Sequence, residues 1–359
     1  MTYYHTKYGS GRKKGKRPFW VKVVFWLLTL LILASLITAY YLYRALYANN
    51  VWIPEAKTVS VIIPTNSSYD DVKNILYGKG IILNRNSFEW LAARKKYPEL
   101  VKPGRYVIHE GMSNDELINM LRMGQQTPLN VIFNNIRTKE QLAQQISLQI
   151  EADSATLMAM MNDSVYMGHM GLTTEEATAL FIPNTYELYW NTSAGQFMDR
   201  MYIEYKKFWE GNRSKKATAI NMSKPEVVIL ASIIEKESNK NDEKPVIAGV
   251  YINRLDRHWL LQADPTLVYA SGDYGLTRVL NVHKEIDSPY NTYKYAGLPP
   301  GPICIPSIAS IDAVLNYEDH DYLFFCAKDD MSGYHVFAKS ITQHNRNARR
   351  YRRAMENQK

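Results

Sequence analysis

The first hydrophobic stretch of the chain has no polar face. Val23 to Tyr43, VVFWLLTLLILASLITAYYLY, carries no charged side chain. About 20 apolar residues span a hydrocarbon core, so the run predicts a transmembrane helix over 23–43. A signal peptide has a shorter apolar region, about 7–15 residues, and a small-residue cleavage site after it. No such site follows here, and an uncleaved anchor is expected. Beyond a linker over 44–56, Thr58 to Ile63 alternates and is rich in β-branched residues, which predicts a strand ended by Pro64. Ser67 and Ser68 are placed to cap a helix over Tyr69 to Tyr77, stopped by Gly78 and Gly80. Asn86 and Ser87 are placed to start a second helix over Phe88 to Lys96. After the turn Lys102-Pro103-Gly104, Arg105 to Ile108 reads as a second strand and Asn114 to Met123 as a further helix. The expected unit, 57–128, is strand, helix, helix, strand.

A second unit, 129–359, opens with the strand pattern Leu129 to Phe133. A helix follows with Thr138 as its cap and Gln141 three residues on, the spacing of a capping box. The Met-rich stretch 151–162 reads as helical core filling, and Phe181 to Trp190 as an aromatic, turn-rich segment. Helices are predicted over Gln196 to Trp209, from Lys224 onward, and over Pro245 to Leu255. Tyr322 to Ala327 and Tyr334 to Ala338 flank Asp329-Asp330-Met331-Ser332-Gly333 as a hairpin. The fold class is α+β.

The helix from Lys224 ends unusually. Its apolar run, Val227 to Ile234, continues into Glu235-Lys236-Glu237-Ser238. At 3.6 residues per turn, Glu237 shares a face with Leu230, Ile233 and Ile234, whereas Glu235 lies behind Ala231 and Ser232. A carboxylate among apolar side chains resists ionisation, and a raised pKa suits a general acid near neutral pH. A plain helix end returning to solvent fits the same letters.

Charge sharpens the topology. The chain has 43 Lys and Arg against 35 Asp and Glu, a net charge of +8. Lys7, Arg12, Lys13, Lys14, Lys16, Arg17 and Lys22 precede the span with no acid among them, and only Arg44 follows closely. By the positive-inside rule the basic tail, 1–22, is cytoplasmic and everything after Tyr43 lies across the membrane. The exported part is then nearly neutral, so a nucleic-acid partner is not indicated. The later cluster Arg346, Arg349, Arg350, Arg352 and Arg353 reads as a solvated helix face. Two cysteines, Cys304 and Cys326, make no disulfide framework. There is no Gly-x-Ser-x-Gly elbow, His-Glu-x-x-His pair or Walker loop, and the eight histidines are scattered. Neither a metal nor a cofactor is expected.

Three further segments carry candidate chemistry. Leu261-Gln262-Ala263-Asp264-Pro265-Thr266 sets an amide, a carboxylate and a hydroxyl around a proline, an arrangement that a capped turn also explains. Tyr290-Asn291-Thr292-Tyr293, followed by Gly297 to Pro302, offers stacked rings and polar groups suited to a sugar. His335, with His344 and Asn345 beyond it, is the third.

With these residues in view, LASIIEKES (230–238), INRL (252–255), LQADPT (261–266), SPYNTY (288–293) and GLPPGPI (297–303) resemble, in order and spacing, the YceG-like endolytic murein transglycosylases, the MltG family. The resemblance covers nearly the whole chain and implies a LysM-like first unit and a catalytic second unit. It implies Glu237 as the essential glutamate, with Gln262, Asp264, Tyr290, Asn291, Thr292 and Tyr293 lining a glycan cleft, Gln262 and Asn291 foremost. It implies a peptidoglycan substrate cut without hydrolysis, a bacterial inner-membrane location with an extracytoplasmic catalytic unit, and an association with peptidoglycan synthases. Pro183-Asn184-Thr185 departs from the Pro-Asp-Thr of several members, which removes any charged role there. A membrane-tethered peptidoglycan-binding scaffold and a hydrolytic muramidase pairing Glu237 with Asp264 are the rival expectations.

Overall fold

The computed structural model describes residues 1, 9, 15, 18–54, 56–276 and 278–357, which fall into two compact units, Met1–Thr127 and Pro128–Lys359. Of the cations expected to orient the span, Lys7, Arg12, Lys13, Lys14, Lys16 and Arg17 lie outside the described residues.

Unit 1 begins with helix α1, Phe19–Tyr47, which is 29 residues long, reaches a mean hydropathy of 2.3 and buries none of its side chains. At 1.5 Å per residue it is about 43 Å long, enough to cross a hydrocarbon core of about 30 Å. Strands β1, Thr58–Ile63, and β2, Gly104–His109, pair antiparallel from Thr58↔His109 to Ile63↔Gly104. Between them run α2, Tyr69–Gly78, and α3, Arg85–Arg94; α4, Asn114–Met123, follows. Ser68 and Asp71 form a capping box on α2. Asn84, rather than Asn86 or Ser87, caps α3, because its side chain accepts from the Ser87 N–H at 3.0 Å. Val61, Ile63, Leu76, Phe88, Tyr106 and Leu117 fill the core.

The segment expected to be a linker, 44–56, is in fact partly built into this unit. Val51 and Ile53 are buried, and Asn50 donates to the Asn84 carbonyl at 3.0 Å and accepts from its N–H at 2.7 Å. Asn114 donates to the carbonyl of Ala45, within α1, at 2.9 Å. Two side-chain amides, Asn50 and Asn114, fasten backbone at Asn84 and Ala45 where a linker was expected.

Unit 2 opens with β3, Leu129–Ile132, paired antiparallel with β4, Thr185–Leu188. The second strand lies in the segment read as turn-rich. Its four residues are too few to show a clear alternation. Between them stand α5, Lys139–Ser147, α6, Ser154–Asn162, and α7, Ser164–His169. Thr138 caps α5 as expected, but Gln141 accepts from the Arg137 N–H instead of completing the box. Then come α8, Ala194–Trp209, α9, Asn212–Ala219, α10, Lys224–Glu237, α11, Lys244–Asp256, α12, Asp264–Ser271, and α13, Ile308–Leu315. The hairpin is β5, Phe324–Ala327, and β6, His335–Ala338, and α14, Ile341–Glu356, carries the basic face.

Helix α10 is the axis of this unit. Ser223 and Glu226 form its capping box and Pro225 sits in its first turn. Val227 to Ile234 are all buried, so the helix is enclosed on every side rather than along one stripe. It packs against α11 and α13. The unit is a mixed α+β body with its last helical turn, not its middle, reaching an opening.

Candidate active site

The last turn of α10 delivers Glu237 into a cleft with two lobes. One, of about 280 Å³, is walled by Arg137, Lys236, Tyr269, Tyr274 and Ile303; the other, of about 360 Å³, by Tyr251, Arg254, Gln262, Tyr293, Phe324 and His344. Glu237 and Asp264 line both. Glu237 is the final helical residue and Ser238 turns the chain away, so the carboxyl stands where a buried helix ends at the cleft.

Burial and three neighbouring groups set its proton affinity. Burial raises the Glu237 pKa to about 7, and the charge of Asp264 adds to the rise. The Tyr251 hydroxyl, donating to Oε1 at 2.5 Å, and the Arg254 guanidinium oppose it. Tyr251 and Arg254 are one helical turn apart on α11 and share its face toward the cleft. Arg254 is buried and donates through Nε to the Leu323 carbonyl at 2.8 Å and through a terminal nitrogen to the Leu261 carbonyl at 2.5 Å. Burial also drives the Tyr251 hydroxyl well above its ordinary pKa, so it stays a donor.

Glu235, two residues earlier, meets a different environment. It accepts from the Ser307 hydroxyl at 2.6 Å and from the Ser310 hydroxyl, and it pairs with the buried Lys244 ammonium at 3.1 Å. Burial alone would push its pKa up, but the bonds from Ser307, Ser310 and Lys244 hold it below the usual value.

The predicted site residues divide into two groups. Gln262, Asp264 and Tyr293 line the cleft. Gln262 is exposed and held at φ 51° between the buried Leu261 and Ala263, a left-handed conformation that turns its side chain outward. Asp264 starts α12, where the helix dipole favours a negative charge, and accepts from the Tyr293 hydroxyl at 2.5 Å. Asn291 and Thr292 are buried instead and do not face the cleft. Asn291 donates to the carbonyls of Lys284 and Ile286 at 3.0 and 2.7 Å and accepts from the Tyr293 N–H at 3.0 Å, which spends its amide on shaping the loop. The Thr292 hydroxyl accepts from the Ala263 N–H at 3.0 Å and meets Thr266 at 2.8 Å, tying the two motif segments together. Tyr290 is half-buried against Tyr269, ring centroids 4.6 Å apart.

His335 is likewise occupied, by Glu243 at 2.8 Å, while His344 stacks on Phe324 and lines the second lobe. Asn184 accepts from its neighbour's N–H, a turn contact. Cys304 and Cys326 are free thiols. Tyr251, Arg254, Arg137 and Lys236 were not singled out from the sequence as cleft groups. The detectable signal was the Tyr251–Arg254 spacing on a largely apolar helix.

This geometry defines a class: an α+β protein with a carboxyl of raised pKa at the junction of a two-lobed groove. The comparisons narrow the class to a family. The YceG-like family model matches residues 61–350, and the chain belongs to that family. It is 28% identical over 327 residues to an endolytic murein transglycosylase of Bacillus subtilis (strain 168), covering 85% of this chain and 89% of that one. A protein of the same name from Streptococcus pneumoniae serotype 2 is 28% identical over 326 residues, spanning 81% of this chain but 58% of the longer relative. The crystal structure of a yceG-like protein from Listeria monocytogenes superposes with a TM-score of 0.54 at 29% identity, covering 81% of this chain and 99% of that chain.

Proposed function

We propose that the protein is a membrane-anchored endolytic lytic transglycosylase that cuts the β-1,4 bond between MurNAc and GlcNAc in nascent glycan strands and leaves 1,6-anhydroMurNAc ends. The observation that carries this reading is Glu237: one carboxyl with a pKa of about 7 at the point shared by two lobes of a cleft. The activity named for the relatives supports it. Glu237 in its acid form protonates the glycosidic oxygen as the bond to MurNAc C1 breaks. The carboxylate then takes the proton of the MurNAc C6 hydroxyl, whose oxygen attacks C1 and closes the anhydro ring. Hydrolytic glycosidases divide such work between two carboxylates. Here the nucleophile is held in the substrate, and intramolecularity supplies much of what a second group would. Gln262, Asp264 and Tyr293 position the sugars. Asn291 and Thr292 act indirectly by fixing the loop that carries Tyr293, and Tyr290 by packing against Tyr269.

Helix α1 is the single-pass anchor, with the N-terminus cytoplasmic and the remainder outside the inner membrane. The order of β1, α2, α3 and β2 supports a LysM-like reading of the first unit, and peptidoglycan synthases are its expected neighbours. Product analysis tests the chemistry. Residues 44–359 incubated with uncrosslinked strands should release anhydro ends, and Glu237→Gln should lose at least about 10³-fold in rate while staying folded. Reducing ends would instead favour a muramidase using Asp264, which shares the cleft. Binding without cleavage would favour a scaffold.

A further inference from the structure

The two lobes that meet at Glu237 are chemically unlike. One carries two cations, Arg137 from the loop before α5 and Lys236 from the end of α10. The other is walled by the rings of Tyr293, Phe324 and Phe325 with the Gln262 amide, and its guanidinium, Arg254, is buried and already donates to the Leu323 and Leu261 carbonyls. Arg137 lies over the Tyr274 ring, 5.1 Å from its centroid, and Lys236 donates to the Asn135 carboxamide oxygen at 3.3 Å. The groups that tune Glu237 are Tyr251, Asp264 and Arg254, not these two. Glu140 acts on Tyr269 and Tyr274 nearby and offsets part of the positive field. Single surface cations are ordinarily solvated. Here two from separate elements converge on one concavity, which Glu237 and Asp264 also line. Stacking on Tyr274 also holds the planar guanidinium in place, which suits paired recognition of a carboxylate.

We propose that this lobe is an anion subsite for the carboxylates borne by the substrate strand. The inference rests on the murein reading above. MurNAc, with its lactyl group and acidic stem peptide, lies on the Arg137–Lys236 side, and uncharged GlcNAc lies against the aromatic rings. The two kinds of β-1,4 bond alternate along a strand, so placing the acid-bearing sugar in one lobe selects which kind stands at Glu237. A shift by one sugar would leave the cations without partners and bring an acidic arm toward the rings, a penalty on the wrong register.

The test uses soluble uncrosslinked strands with free stem-peptide carboxylates, and the same strands with those carboxylates converted to methylamides. Binding is measured with the full chain carrying Glu237→Gln, so it is read whether or not cleavage occurs. That protein should bind the acidic strands about ten-fold more tightly at low salt, and added salt should shrink the preference. Adding Arg137→Met and Lys236→Met should bring the ratio to about one, and Arg137→Lys, which keeps the charge but loses the planar fork, should give a ratio between those two. A thermal melt checks folding of each variant. Equal binding of both strands, a ratio that survives the double substitution, or no binding of either strand would overturn the subsite. Absence of cleavage by the wild type, with the ratio intact, counts against the murein chemistry and not against the subsite.

Discussion

On one side of the last turn of α10, Glu235 accepts from two serine hydroxyls and pairs with a lysine that is almost wholly buried. On the other side, Glu237 has one hydroxyl donor, a neighbouring carboxylate and an opening to the cleft. The two side chains are chemically identical and two residues apart, and their proton affinities move in opposite directions. Burial pushes both upward. The difference is the number of donors aimed at the carboxylate. Where several donors converge, the charge is stabilised and the group becomes structural. Where one donor is present and a like charge stands nearby, the group holds its proton to about pH 7.

The first way to break the comparison is to remove the structural carboxylate. Glu235→Gln leaves the Lys244 ammonium, whose side chain is 4% exposed, without its anionic partner. Losing half of a buried pair costs about 3–5 kcal/mol, and the partial exposure of Glu235 places the expected loss at about 3 kcal/mol. Chemical denaturation reads it. A change below about 1 kcal/mol would mean that Ser307 and Ser310 suffice to hold the ammonium's surroundings and that Glu235 is not a structural carboxylate.

The opposite substitution should stabilise. The Glu237 carboxyl titrates near 4.5 when unfolded and at about 7 when folded, so the folded state binds the extra proton between those values. Its contribution is fully present below pH 4.5 and lost as pH rises through 7, a swing of about 3 kcal/mol. Glu237→Gln cannot ionise and escapes that loss. The variant should match the wild type near pH 4 and exceed it in melting temperature at pH 8. A constant difference between the two proteins across this range would show that Glu237 is not held protonated by its surroundings.

These two carboxylates also mark how far the sequence can be read. The bounds of α10 follow from Ser223, Pro225 and Glu226 at one end and an unbroken apolar run, and the shared face of Glu237 with Leu230 and Ile233 follows from helical spacing alone. Local signals of this kind also place the β1–β2 pair, the hairpin β5–β6 and the caps at Ser68 and Thr138. What is not legible is tertiary. Ser307, Ser310 and Lys244 converge on Glu235 from α11 and the start of α13. Asn291, read as a sugar ligand because it sits among tyrosines, is needed instead by the carbonyls of its own loop. The linker region is fixed by Asn114, far along the chain from Ala45. Four-residue strands such as β4 offer too short a pattern to separate from a turn.

The smallest expected effect sharpens the comparison most, because it alters the donor count at Glu237 by one. In Tyr251→Phe the ring remains and only the hydroxyl bonded to Oε1 is lost. That hydrogen bond favours the carboxylate form, so its removal raises the Glu237 pKa further, by about one unit. The bond also fixes Oε1, so in the reaction proposed above its loss should let the carboxyl rotate and slow the rate about ten-fold. The kcat/KM profile reads both. The limb that falls as pH rises through about 7 should move to higher pH while its plateau drops. A purely structural tyrosine would lower the plateau and leave the limb where it is. A limb that moved to lower pH would mean that another group, not this hydroxyl, sets the proton affinity of Glu237.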